Sequence, residues 1–124
     1  MLAAAALAIA AGGSTAVAQT TTPAHKASAT STALQVTEVE YRLMLSEAVV
    51  KAGPVSLEAI DAGMDPHDLR LRRGNVGAPF AVQTLSPGAR WDGVVNLRPG
   101  IYHFWCSLPG HWKLGMHATL RVVR

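Results

Sequence analysis

Hydrophobic and polar residues alternate along much of the chain after residue 32, with the two-residue period of β-strands. In the clearest run, Val55–Ile60, the apolar residues Val55, Leu57 and Ala59 fall on one face. No stretch shows sustained helical periodicity, and turn residues recur at intervals of roughly 8–12 residues, which is typical of a sandwich or barrel of short strands. We therefore predict an all-β fold, a Greek-key β-sandwich of about seven to eight strands.

Turn residues divide the alternating runs into short predicted strands. A turn at Gly53-Pro54 and a loop at Asp61–His67 contain the glycines and prolines expected at such breaks. The predicted strands are, in chain order, Leu34–Leu45, Val55–Ile60, Asp68–Arg72, Phe80–Leu85, Trp91–Leu97, Ile101–Trp105 and Ala118–Val123.

The first 18 residues differ from the rest because they carry no charge. They end in Ala16-Val17-Ala18, and an apolar run before such a small-residue site is the pattern of a secretory signal peptide. We predict a signal peptide at residues 1–18, a flexible linker rich in Thr, Ser and Ala at residues 19–32, and one folded domain at residues 33–124. The mature protein is then expected in the periplasm or otherwise exported, without an integral membrane span. An uncleaved N-terminal anchor, which would tether it to the outer face of the membrane, remains the alternative.

Charge and cysteine content narrow the function classes. The formal net charge is +3, and the cations are scattered without a Lys/Arg block, so no nucleic-acid partner is expected. The chain has a single cysteine, which excludes an internal disulfide. A free thiol is at risk in an oxidising compartment, and metal ligation gives it a use because the metal holds it as an occupied thiolate.

A loop near the C-terminus collects three potential metal ligands. Cys106, His111 and Met116 follow one another at intervals of five residues between two predicted strands. A thiolate, an imidazole and a thioether, completed by a second imidazole, are the donors of a blue-copper site, with a trigonal His₂Cys plane and a weak axial Met. The best candidate for the second histidine is His67, at the end of a loop between two strands.

Alternation along the strand before the cysteine predicts the surroundings of the thiolate. Tyr102, Phe104 and Cys106 point the same way, so an apolar shell is expected around the sulfur. His103 faces the opposite side, and His117 is also predicted to turn outward. Neither is therefore a predicted ligand.

Other interpretations of the same residues are weaker. Taken singly, a buried cysteine is usually a small hydrophobic residue. Zinc sites favour several thiolates, or histidines with carboxylates, and a thioether fits neither pattern. A nucleophilic pair of Cys106 and His111 would leave Met116 without a role and has no evident orienting carboxylate.

The segment Phe104–Met116, which reads F-x-C-x-x-P-G-H-x-x-x-G-M, resembles the ligand loop of the cupredoxins, the small blue copper proteins. Its spacing is most similar to auracyanin- and rusticyanin-like members, within the broader plastocyanin-like group. Val55–Arg72 is similar to the family's first-ligand region. The resemblance implies one mononuclear type 1 copper ion, with the ligands His67, Cys106, His111 and Met116.

One departure from the family pattern concerns the residue after the first histidine. The family usually has Asn there, where it joins the two ligand loops by hydrogen bonds, and this chain has Asp68. A carboxylate can still accept a hydrogen bond from Ser107 but cannot donate one. Its negative charge is expected to favour Cu(II) and to lower the reduction potential.

The resemblance implies a monomeric electron carrier rather than an enzyme, which passes single electrons to redox protein partners that dock transiently near His111. A basic face would steer an anionic partner. The alternative is a module that stores, senses or delivers copper without electron transfer. A domain descended from a multicopper oxidase is disfavoured because no additional His-rich motif is present.

Overall fold

The computed structural model describes residues 32–124. The predicted signal peptide lies outside the described residues, as does the predicted linker apart from Thr32. Residues 32–124 contain no helix, and hence none able to cross a membrane. They form nine strands: β1 (Thr32–Val39), β2 (Arg42–Leu45), β3 (Val49–Lys51), β4 (Gly53–Asp61), β5 (His67–Arg73), β6 (Phe80–Leu85), β7 (Arg90–Leu97), β8 (Gly100–Trp105) and β9 (His117–Val123).

The strands form two sheets packed face to face. Sheet 1 has four strands in the order β2-β1-β4-β7, and sheet 2 has five in the order β3-β9-β8-β5-β6. The pairs β1/β4 and β3/β9 are parallel, and the other neighbouring pairs are antiparallel. The predicted all-β sandwich is confirmed.

The structure has more strands than predicted, because the pattern did not separate β2 from β1 and did not indicate β3. The run Leu34–Leu45 reverses direction at residues 40–41 and pairs with itself, with Val36 opposite Leu45. Val49–Lys51 forms a short edge strand against β9. Gly53-Pro54 is the start of β4 rather than a turn, so that part of the prediction was wrong.

Side chains that alternate inward from both sheets form the core. Val55, Leu57 and Ala59 of β4 are buried, as their shared face predicts. In β8, Tyr102 and Phe104 are buried while His103 is exposed. Each fully buried aliphatic or aromatic side chain contributes roughly 1.5–3 kcal/mol through the hydrophobic effect.

One edge of sheet 2 brings together the chain segments that carry the predicted ligands. Because β5, β8 and β9 are antiparallel neighbours, the start of β5, the end of β8 and the start of β9 meet at the same edge. His67 begins β5, Cys106 follows β8, and Met116 precedes β9.

Candidate metal centre

Three of the predicted ligands converge at this edge of sheet 2. The Nδ1 atoms of His67 and His111 lie 3.3 Å apart, and the Cys106 Sγ lies 3.5 Å from the His111 Nδ1. One donor atom from each of the three residues lies within 4.8 Å of the others. Two donor atoms that bind the same ion, each at about 2 Å from it, are roughly 3.3–3.5 Å apart. The geometry therefore suits a single shared metal ion.

Met116 is brought to the same place by the backbone. The Cys106 N–H donates to the Met116 carbonyl at 3.1 Å, and the Met116 N–H donates to the His111 carbonyl at 3.1 Å. The Met116 side chain is fully buried. The Met116 backbone is thus fixed beside Cys106 and His111, and its thioether lies in the interior.

Tight turns fold the loop that joins Cys106 to Met116. The His111 N–H donates to the Leu108 carbonyl at 3.2 Å, and the Leu114 N–H donates to the Gly110 carbonyl at 3.2 Å. Gly110 and Gly115 have φ angles of 83° and 111°, in the left-handed region that favours glycine. These two glycines allow one short loop to return both His111 and Met116 toward the cysteine.

The candidate ligands differ in exposure. His67, Cys106 and Met116 are each 0% exposed, whereas His111 is only partly buried. Burial raises the pKa of the Cys106 thiol, although the Asp68 N–H donates to its Sγ at 3.5 Å. A metal ion must therefore displace the thiol proton when it binds.

Asp68 joins the two ligand-bearing segments. It accepts hydrogen bonds from the Ser107 N–H at 2.6 Å and the Ser107 hydroxyl at 2.5 Å, and it pairs with the Arg70 guanidinium at 3.0 Å. Burial opposes ionisation, but the hydrogen bonds from Ser107 and Arg70 hold the pKa of Asp68 below its usual value. The expected bond from the Ser107 hydroxyl is present, and Arg70 partly offsets the negative charge.

The turn between β1 and β2 supplies two contacts that the sequence did not predict. The Glu40 Oε1 lies 3.3 Å from the His67 Nε2, and the ring of Tyr41 meets the ring of His111 edge-on, with centroids 5.1 Å apart. Hydrogen bonds from the Asp65 and Met64 N–H groups lower the pKa of Glu40 to about 2. No motif marks these residues, since the contacts arise only when the two sheets pack together.

Two further carboxyl groups are buried at this end of sheet 1. Glu38 and Asp61 are Cα partners on β1 and β4, and both are 0% exposed. Neither carboxyl oxygen of Glu38 has a hydrogen-bond partner among the described residues. Burial, reinforced by the charges of Asp61 and Asp68, raises the pKa of Glu38 to about 7.

The remaining histidines of the described segment lie outside the cluster. His103 and His117 are exposed, as alternation predicted. The ring of His117 lies against Trp112, with centroids 5.2 Å apart.

The comparisons with known proteins define the fold. No model of a known protein family matches the sequence, and no curated protein does. The structure is similar to auracyanin from the photosynthetic bacterium Roseiflexus castenholzii, with a TM-score of 0.62 and 18% identity over 76% of this chain and 98% of that one. It is similar to auracyanin B, with a TM-score of 0.61 and 20% identity over 91% of this chain and 97% of that one.

A purple cupredoxin from Nitrosopumilus maritimus gives a TM-score of 0.53 and 19% identity, over 72% of this chain and 98% of that one. The chain therefore has the cupredoxin fold. The resemblance seen in the ligand loop is confirmed at the level of the fold.

Proposed function

We propose that this protein binds one mononuclear type 1 copper ion through His67, Cys106, His111 and Met116 and carries single electrons between redox partners. The observation that carries the proposal is that the His111 Nδ1 lies 3.3 Å from the His67 Nδ1 and 3.5 Å from the Cys106 Sγ, with all three donors within 4.8 Å of one another. Two imidazoles, one thiolate and a thioether are the donor set of blue-copper electron-transfer sites.

The protein itself supplies a set of donor atoms that the fold holds in place and largely shields from water. Bound copper supplies a one-electron Cu(I)/Cu(II) couple. The start of β5 and the loop between β8 and β9 carry the donors, and Asp68 joins these two segments through its hydrogen bonds to Ser107. Four protein donors leave no coordination position for a substrate, which supports a carrier rather than an enzyme.

Electron exchange through His111 is supported by its exposure, because the other three proposed ligands are 0% exposed. Exposed apolar side chains around His111 form a docking patch, which suits a brief encounter with a redox protein. Its exposed members include Met64 at 88%, Leu114 at 60% and Trp112 at 58%. We propose that the protein acts as a monomer and that partners dock on this patch.

The charge beside the patch favours an acidic partner. A groove of about 780 Å³ runs along the outer face of sheet 2 from the ligand loop, and none of its lining residues is acidic. Arg72 and Lys113 supply positive charge, and the Arg72 guanidinium lies 5.7 Å from the centroid of the Trp105 ring. Such a surface accelerates encounter with a negatively charged protein.

An exported location fits this chemistry. The predicted signal peptide at residues 1–18 supports export to the periplasm or beyond. If this segment is not cleaved, it would tether the protein to the membrane surface. A buried, metal-held thiolate is protected from oxidation in such a compartment.

The test is the optical and EPR spectrum of the copper-loaded protein. The wild type should show an intense visible thiolate-to-copper band that bleaches reversibly on reduction. Cys106→Ser should lose the band, whereas the control His117→Asn, which alters an exposed histidine beside Met116, should keep it. A band that persists without Cys106 would contradict the assignment, and a colourless protein that binds only Cu(I) would support copper storage or delivery instead.

A further inference from the structure

The turn between β1 and β2 places a carboxylate behind the first histidine. The Glu40 Oε1 accepts hydrogen bonds from the Met64 N–H at 2.6 Å and the Asp65 N–H at 2.7 Å, and it lies 3.3 Å from the His67 Nε2. Three nitrogen atoms thus converge on one oxygen. The contact joins sheet 1, which carries the turn, to the loop and strand of sheet 2 that present His67.

This contact determines which ring nitrogen of His67 carries the proton. An ionised carboxylate only accepts hydrogen bonds, so the Nε2 must be the protonated nitrogen. The Nδ1 lone pair is then free and faces the His111 Nδ1 at 3.3 Å, where the ion is proposed. The hydrogen bond made by one ring nitrogen sets the role of the other.

The local backbone leaves room for the carboxylate. A Cβ at Gly63 would collide with the Glu40 Oε1 and would lie 3.0 Å from the His67 Nε2. Gly63 does not adopt a positive φ, so a glycine is needed here for the close approach of Glu40 to His67 and not for the backbone conformation.

We propose that Glu40 is a positioning residue for His67: its carboxylate fixes the tautomer that offers Nδ1 to the metal and lowers the copper reduction potential. The second part rests on the proposed function. A carboxylate that accepts the outer N–H of a ligating histidine makes the imidazole a stronger donor. Its negative charge also favours Cu(II) over Cu(I), moderated by solvent because the Glu40 side chain is 29% exposed.

Two substitutions separate the hydrogen bond from the charge. Glu40→Gln keeps a carbonyl acceptor for His67 and removes the charge, whereas Glu40→Ala removes both. In the metal-free protein, the ¹⁵N shifts of the His67 ring should show the Nε2–H tautomer in the wild type and in Glu40→Gln. A mixture of tautomers is expected in Glu40→Ala.

In the copper-loaded protein, Glu40→Gln should shift the equilibrium toward Cu(I) by up to roughly tenfold, which is about 59 mV for one electron. Glu58→Gln is the matched control, because Glu58 is also a partly exposed carboxylate but pairs with Arg90 at 3.1 Å and with Gln35 rather than with a proposed ligand. It should leave the potential unchanged. Glu40→Ala should also raise the potential, and Gly63→Ala should do the same because its Cβ displaces the carboxylate.

Two results would overturn the proposal: an Nδ1–H tautomer in the metal-free wild type, or a potential in Glu40→Gln equal to that of the wild type. If the wild type binds no copper, the proposed function fails. The tautomer measurement then still decides whether Glu40 orients His67.

Discussion

The carboxylate of Asp68 accepts two hydrogen bonds from Ser107, at 2.6 Å from its backbone nitrogen and at 2.5 Å from its hydroxyl. Because Ser107 follows Cys106 and Asp68 follows His67, this pair fastens the two ligand-bearing segments to each other. The same carboxylate pairs with Arg70.

We predict that Asp68→Asn raises the reduction potential and destabilises the protein by about 1–3 kcal/mol, because a buried charged acceptor is replaced by a neutral group that cannot satisfy Ser107 and Arg70 together. Cyclic voltammetry and urea unfolding provide the two measurements. Asp92→Asn, at an exposed position on sheet 1, is the control and should change neither value. An unchanged potential in Asp68→Asn would show that Arg70 fully cancels the charge.

Glu38 should make the metal-free protein less stable as the pH rises. Burial, with the charges of Asp61 and Asp68, raises the pKa of Glu38 from 4.5 to about 7. The folded state therefore retains a proton that the unfolded chain has released, and the free energy of unfolding falls with rising pH across this interval.

Glu38→Gln should remove that decline, because an amide does not ionise. Each pKa unit corresponds to about 1.4 kcal/mol. The free energy of unfolding of Glu38→Gln, relative to that of the wild type, should therefore be on the order of 1–3 kcal/mol higher at about pH 8 than at about pH 5. Urea unfolding at the two pH values measures it. Glu47→Gln, which alters an exposed side chain, should leave the slope as in the wild type, and a persistent slope in Glu38→Gln would assign it to another group.

Met116→Leu should keep the visible band and raise the reduction potential. The replacement conserves volume in a fully buried position, so the stability cost should stay below about 1.5 kcal/mol. The band comes from the thiolate, and only the weak axial donor is lost. Optical titration and voltammetry test this, with Met44→Leu on sheet 1 as the control. Loss of the band in Met116→Leu would mean that the thioether is needed to form the site.

The positive charge of Lys113 should accelerate reaction with an anionic partner. Hexacyanoferrate is a suitable anionic probe, and we expect Lys113→Glu to slow its electron exchange with the protein several-fold at low ionic strength. The effect should diminish at about 0.5 M salt because exposed charges are then screened.

Lys51→Glu is the matched control for this experiment. Lys51 is exposed and pairs with Val123 at the far end of β9 from Met116, so the same charge change there should have a smaller effect. Stopped-flow rates that fall equally in both variants would indicate a response to net charge rather than to a docking surface.

The sequence predicted the features that depend on local order along the chain. Cys106, His111 and Met116 share one loop, and the alternation of β8 correctly placed Phe104 inside and His103 outside. His67 was harder, since it is 44 residues from His111 and only the packed strands bring the two rings together.

The contacts that Glu40 and Tyr41 make with the proposed histidine ligands could not be predicted from the sequence pattern. Glu40 and Tyr41 lie within the predicted strand Leu34–Leu45, and their approach to His67 and His111 depends on the chain reversal at residues 40–41 and on the packing of the two sheets. Glu38 likewise occupies an inward position of β1 where an apolar residue would be expected. A polar residue in such a position is visible in the sequence, but its neighbour Asp61 is known only from the pairing of β1 with β4.

The proposed donors come from the start of β5 and from the loop between β8 and β9 in sheet 2, whereas sheet 1 and its β1–β2 turn carry Glu38, Glu40, Tyr41 and Asp61. The residues that would hold the ion therefore lie in one half of the sandwich, and Glu40, which is proposed to adjust the reduction potential alongside Asp68, lies in the other. Under the proposed function, substitutions in the β1–β2 hairpin of sheet 1 would change the reduction potential while leaving the four proposed donors in place.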